Sequence, residues 1–494
     1  MLRSSWPILL IALLTFNCNP DPEGIRKPNI LLFLVDDMGW TDTSVPFADM
    51  VTDNNRYFHT PNMQRLRDMG MQFTQAYSSS PVCSPTRTSI LTGMNPARSH
   101  ITNWIPGENN DSTEHTRWGL PPEWKIDGLG PNDVTLPKLL KQAEYVNIHI
   151  GKAHFGRAGT PGEDPRNLGF DINVGGTDAG HPASYYPPYG APDNDHHVPG
   201  LSKEAAEKLY LNDALTVHAV QLIDSVSAAG KPFFMNMAHY ALHTPIQGDT
   251  TRLAPYVDTI HNRAQQAYAT MVESMDASLG RILDALERDG QLDNTLIVFM
   301  SDNGGLATHA GPPTTNYPLA YGKGTNREGG IRVPMLAAWP GRIKPKTKCD
   351  VPVIADDFMP TFLSVAGLAD QTPPLIDGVD LTPLFFRTGN IKDRALIWHF
   401  PHYWASKSIR DQYPGIIGPF SAIRYHRYKL IYDYDRQRTM VFDLQNDVGE
   451  TNDLMMASAE ITTQLMKTLH EYLLQVGAPM PVDKRNGRNI YPHL

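Results

Sequence analysis

Cysteine is nearly absent: Cys18, Cys83 and Cys349 are the whole supply in 494 residues. Three thiols so far apart cannot form the even, closely spaced framework that staples small secreted domains, so stability has to come from packing. A large charge of one sign is missing too. Lys and Arg number 43 against 52 Asp and Glu, a formal net charge of −9, and without a basic stripe nucleic acid is not an expected partner. Internal repeats and low-complexity tracts are lacking. No long apolar run follows the first twenty residues.

That first run, in MLRSSWPILLIALLTFNCNP, sets Arg3 ahead of an apolar stretch from about Trp6 to Phe16, shorter than the roughly 17 to 25 residues of a spanning helix. Residues 1–18 read as an export signal, which predicts a periplasmic chain or one held at the cell surface. Cys18 closes the run as in a bacterial lipoprotein signal, although Phe16 and Asn17 are bulkier than usual there. A lipid anchor to the membrane on Cys18 and simple cleavage nearby both stay open.

What is plentiful is proline and glycine, 41 and 38 residues, gathered in stretches such as GGTDAGHPASYYPPYGAPDNDHHVPG (175–200). Loops this long on a scaffold suggest a binding mouth. Between them strands and helices alternate. NILLFLV (29–35) is a continuous apolar run, as in a strand buried on both faces. A helix over 134–145, a strand over 145–150, another over 232–240, a long helix over 262–290 and a strand over 295–300 follow. The alternation predicts an α/β fold with a large, mostly parallel sheet flanked by helices. After about residue 390 the grain changes to short aromatic strands, ALIWHF, SAIRYHRYKLIYDY and TMVFDL, then one helix from Ala459 to Gln475. The expected division is a catalytic domain over 27–390 and a C-terminal α+β subdomain, antiparallel sheet and helix, over 391–494.

Open parallel sheets bind ligands beyond the carboxyl ends of their strands. There this sequence places Asp36 and Asp37 after 29–35, Lys152 and His154 after 145–150, His243 after 232–240, and Asp302 and Asn303 after 295–300. Singly, each passes for a cap, a turn or a structural histidine. Together, Asp36, Asp37, Asp302 and Asn303 offer hard oxygen donors, which suit Ca²⁺ or Mg²⁺ better than zinc. Lys152, His154, His243 and Lys323 add cations and proton-transfer groups, and a metal with several cations implies an anionic substrate.

Cys83 opens CSPTRTSILTG, which fits Cys-x-Pro-x-Arg followed by Leu-Thr-Gly. With NILLFLVDDMGW, GKAHFG, HTP, SDNGG and REGGIRVP in that family order, and VFDLQNDVGETNDL near the end, the chain resembles the type I sulfatases of the alkaline phosphatase superfamily, bacterial polysaccharide sulfatases among them. The resemblance implies that a maturation enzyme oxidises Cys83 to formylglycine (3-oxoalanine), hydrated to a geminal diol. It implies one Ca²⁺ on Asp36, Asp37, Asp302, Asn303 and residue 83. Arg87 would hold the diol, Lys152 and Lys323 would bind sulfate oxygens, His243 would protonate the departing sugar oxygen and His154 would take a proton from the diol, or the two histidines would exchange these roles. Cys349 reads as structural.

The rival reading is a phosphomonoester or phosphonate hydrolase of the same superfamily. A non-catalytic sugar-binding relic would need a lost site residue, and none is lost. A sulfated carbohydrate is the expected substrate, because the Tyr-, His- and Pro-rich loops, with His402 and Trp404 in HFPHYW, offer rings and polar groups to a sugar; packing of the loops explains the same aromatics equally well. Ulvan, carrageenan, fucan and host glycosaminoglycans all fit.

Overall fold

NILLFLV becomes strand β1 (Asn29–Val35), buried at every position. Its alternate side chains enter two separate apolar clusters: Leu31, Phe33 and Val35 pack on one face of a sheet, and Ile30, Leu32 and Leu34 on the other. A strand covered on both faces has no polar side to show, which is why the run lacks alternation. The computed structural model describes residues 26–105, 116–119, 121, 123–307, 313–403, 413 and 415–493. The expected leader and Cys18 lie outside the described residues, as does Trp404.

The central sheet continues with β2 (Met71–Phe73), β3 (Val146–Gly151), β4 (Ile172–Val174), β5 (Phe233–Ala238), β6 (Thr295–Ser301), β7 (Met335–Ala338) and β8 (Thr347–Cys349). These eight strands lie in the order β8-β2-β7-β6-β1-β5-β3-β4. Neighbouring pairs are parallel except around β7, which runs antiparallel to β2 and β6. The sheet is therefore mixed and mostly parallel, as expected. On one face pack α2 (Leu211–Ala228) and α3 (Arg263–Arg288); on the other pack α1 (Cys83–Thr92) and α4 (Phe358–Val365).

The helix expected over 134–145 is shorter. It runs from Leu136 to Leu140 and tightens into a 3₁₀ turn at Lys141–Ala143. Glu144 then takes a left-handed φ of 62°, turning the chain back into β3 with no room for another helical turn.

Beyond the main sheet, β9 (Leu396–Phe400), β10 (Phe420–Tyr425), β11 (Tyr428–Asp433) and β12 (Arg438–Asp443) form an antiparallel meander. One face packs Trp398, Phe400 and Phe442 against Tyr77, Val82 and Ile331, so this small sheet leans on the residue just before Cys83. Leu465, Leu469 and Leu473 of α5 (Ala459–Gln475) cover the other face. Among the described residues no helix is long and apolar enough to cross a membrane.

Candidate active site

Four neighbouring parallel strands, β6, β1, β5 and β3, end side by side, so the residues just beyond them converge. Asp36 and Asp37 leave β1, Asp302 and Asn303 leave β6, and all four are fully buried. Asp37 adopts φ 59° and His154 φ 55°. Such left-handed backbone is costly for a residue with a Cβ and is retained chiefly where the surroundings require it. The backbone N–H of Asp37 donates to Asp302 Oδ1 at 3.3 Å, tying the two strand ends together.

Cys83 is the first residue of α1, whose ten residues are all buried. Its Sγ lies 3.6 Å from Lys323 Nζ. Burial alone raises a thiol pKa, but Lys152 and Lys323 outweigh it and draw Cys83 down to about 6. The helix N-terminus adds positive potential in the same direction.

Cations and carboxylates pair around this thiol. Lys152 Nζ donates to Asp36 Oδ2 at 2.7 Å, and Lys323 Nζ lies 2.6 Å from Asp37 Oδ1. Arg87, one turn along α1, gives Nε to Asp302 Oδ2 at 2.7 Å and Nη1 to the Lys152 carbonyl at 2.7 Å. His243 Nε2 sits 3.5 Å from Asp37 Oδ2, and its Nδ1 lies 3.0 Å from the Thr244 carbonyl. His154 places Nε2 3.1 Å from the Ile105 carbonyl.

Several buried polar atoms of this constellation have no hydrogen-bond partner: Asp36 Oδ1, Asn303 Oδ1, Arg87 Nη2 and His154 Nδ1. Buried polar groups are normally satisfied, so a cluster of orphans marks a place for something else to bind. Burial, and after it the charge of Asp302, push the Asp36 carboxyl well above the usual range. An ionised Asp36 here needs more positive charge. Among the described residues, ligand atoms of Asp36, Asp37, Cys83 and His243 all lie within 4.8 Å of one another. Hard oxygens from Asp36, Asp37 and Asn303 with two of them unpartnered fit a divalent cation such as Ca²⁺. Asp302 is close to these groups, but Arg87 engages its Oδ2.

The two histidines differ. Burial, Lys152 and Arg87 hold His154 well below the usual imidazole range. For His243 burial and Lys323 act downward, and Asp37 with Asp36 raises it above the ordinary value.

His402 does not meet the expectation of a residue at the substrate mouth. It is fully buried, its Nε2 lies 2.8 Å from Thr102 Oγ1, and its ring meets Trp124 edge-on with centroids 4.7 Å apart. A ring enclosed in this way has no face for a sugar. Sequence reasoning also passed over His181 and His196. Both belong to the long 175–200 loop, and His181 stacks on His243 with centroids 5.6 Å apart. Histidine content in a loop read as a binding mouth was the available signal.

The family model described as Sulfatase matches residues 28–368. The chain belongs to the sulfatase family. It is accordingly a sulfuric ester hydrolase, and a second model, described as N-sulphoglucosamine sulphohydrolase, C-terminal, matches residues 320–478. A protein named sulfatase from Formosa agariphila is 29% identical, with 98% of this chain and 96% of that one covered. The N-acetylgalactosamine-6-sulfatase of Rattus norvegicus is 33% identical over 76% of this chain and 68% of its own length. Among solved structures, Ps i-CgsB in complex with k-i-k-neocarrahexaose superposes with a TM-score of 0.73 at 29% identity, covering 90% of this chain and 93% of that chain.

Proposed function

We propose that this sulfatase removes sulfate from a sulfated carbohydrate derived from a polysaccharide, using a formylglycine formed from Cys83 by a maturation enzyme and one Ca²⁺ held by Asp36, Asp37, Asp302, Asn303 and residue 83. The observation that carries the reading is the convergence of a buried, cation-flanked Cys83 with orphaned oxygens of Asp36 and Asn303 at the strand ends. The similarity to relatives named for N-acetylgalactosamine 6-sulfate and to a structure solved with a carrageenan oligosaccharide supports a sugar as the leaving group.

The hydrated aldehyde supplies an oxygen nucleophile for sulfur and a second hydroxyl through which sulfate is released, and Ca²⁺ supplies positive charge for the sulfate oxygens. The chain's own side chains do the rest. Lys152 and Lys323, the two cations that act on residue 83, neutralise a bound sulfate and the charge that builds on its oxygens. Arg87, fixed by Asp302 and the Lys152 carbonyl, keeps Nη2 to orient the nucleophile. His243, whose proton affinity the adjacent carboxylates raise, holds the proton for the departing sugar oxygen. His154, kept neutral by burial and cations, is the base, with Nδ1 unengaged. Residues 27–390 carry this chemistry and 391–494 buttress it; the leader over 1–18 directs the chain to the periplasm or to a lipid anchor.

The test is matured enzyme on aryl sulfate, aryl phosphate and defined oligosaccharides of ulvan, carrageenan, fucan and glycosaminoglycans, with metal analysis alongside. Sulfate release from one of these glycans, one calcium per chain and loss of activity on dialysis against chelator are expected. Faster cleavage of phosphate than of sulfate, or stoichiometric zinc, overturns the reading.

A further inference from the structure

The loop over 175–200 follows edge strand β4 and touches both histidines of the proposed mechanism. The backbone N–H of His154 donates to the Thr177 carbonyl at 2.9 Å. A Cβ on Gly180 would stand 3.0 Å from His154 Cε1, so the loop packs closely against that ring. One residue later His181 stacks on His243, centroids 5.6 Å apart and planes 12° from parallel. His196, from the returning limb of the loop, stacks behind His181 at 3.8 Å and 22°. The two limbs are pinned by a hydrogen bond from the Ala183 N–H to the His196 carbonyl at 2.8 Å. The result is a ladder of three imidazoles, His243, His181 and His196, that starts at the proposed proton donor.

We propose that His181, braced by His196, binds the sugar that carries the sulfate, accepting through Nε2 a hydrogen bond from a ring hydroxyl next to the sulfate ester. The proposal rests on the sulfatase reading above and names the residue that selects its leaving group. His181 Nδ1 lies 3.0 Å from the Pro182 carbonyl, which can only accept, so Nδ1 carries the hydrogen and Nε2 is the acceptor. His181 is half-buried and one ring beyond the residue proposed to protonate the leaving oxygen, where the sugar has to lie. Burial lowers the His181 imidazole to about 4, so near neutral pH it is an uncharged acceptor. A neutral ring this close does not compete with Lys152 and Lys323 for the sulfate, and it distinguishes a sugar hydroxyl from an aryl group, which has none to donate.

Three proteins decide it: wild type, His181→Phe, which keeps a flat ring for the stack and removes the acceptor, and His181→Ala. Each is assayed on 4-methylumbelliferyl sulfate and on N-acetylgalactosamine 6-sulfate, with the preferred glycan from the substrate panel in place of the latter if that monosaccharide is not turned over. The ratio of kcat/KM for sugar sulfate to that for aryl sulfate is expected to fall at least tenfold in both variants, as loss of one specific hydrogen bond would give. Equal losses on both substrates, or a fall in His181→Ala that His181→Phe restores in full, would show a structural prop for His243 and overturn the proposal, as would an unchanged ratio. If wild type cleaves neither sulfate, the sulfatase reading fails, a result separate from any of these.

Discussion

At residue scale the chemistry turns on position 83, where the encoded and the working side chain are proposed to differ. Enzyme from a host able to mature it should yield, by peptide mass spectrometry, an aldehyde in the CSPTR peptide, and activity should follow the converted fraction. Cys83→Ala should be inactive for want of a nucleophile. Cys83→Ser is the sharper variant: its single hydroxyl can take sulfate but has no second hydroxyl through which to release it, so turnover should stop after at most one event. Steady multiple turnover by the unoxidised serine variant would refute the formylglycine mechanism. The strand-end residues of this site were legible because parallel strands deliver whatever follows them to one edge. His181 was not, since it reaches His243 only through closure of a long loop with no period to read. His402 misled because aromatic residues that pack a loop and those that line a mouth have the same composition.

The helix carrying Cys83 shows what holds at the scale of elements. CSPTRTSILT has no amphipathic period because all ten residues are buried, so it was legible as a motif and not as a helix. Its two ends are tied to one carboxyl group. Ser79, ahead of the helix, donates Oγ to Asp356, and Asn95, beyond it, donates Nδ2 to Asp356 Oδ2 at 3.4 Å. Burial first, with the like charges of Asp377 and Asp357 after it, raises Asp356 to about 7. The folded state thus holds this proton more tightly than the unfolded chain, and stability declines as pH rises from about 4 to about 7. Asp356→Asn keeps the shape without the ionisation. The difference in Tm between variant and wild type should therefore shift in the variant's favour from pH 5 to pH 8 in thermal melts, and a difference independent of pH would reject the assignment. The buried strands could be read from their unbroken apolar runs. The reversed direction of β7 could not, because a four-residue apolar strand looks the same either way.

For the molecule as a whole, the C-terminal meander is joined to the catalytic sheet through a buried charge cluster. Lys429 on β11 places Nζ 3.0 Å from Glu328 Oε1 and 3.0 Å from Glu450 Oε1, and all three side chains are fully enclosed. Tyr77 donates its hydroxyl to Glu328 Oε2 at 2.7 Å, and the Glu328 N–H donates to Glu450 Oε2 at 2.7 Å. Glu328 belongs to REGGIRVP, five positions after Lys323, so the cluster fixes the segment that brings this cation to Cys83. Burial alone would raise both glutamates; Lys429, with Arg332 and Arg424, reverses this for Glu328 and leaves its carboxyl lowered to about 2, while Glu450 stays raised. Lys429→Met would remove the cation shared by both buried glutamates, leaving Glu328 with Arg332 and Glu450 stranded, and breaking a buried pair in this way costs on the order of 3–5 kcal/mol. A marked fall in Tm or in the denaturant midpoint is expected. Adding Glu450→Gln to Lys429→Met removes the stranded charge, so the double variant should be more stable than Lys429→Met alone, the reverse of what two independent losses would give. Additive losses in that cycle, measured by denaturant unfolding, would mean that the charges act separately and that the two sheets are held together by the apolar contacts around Tyr77 and Trp398 alone.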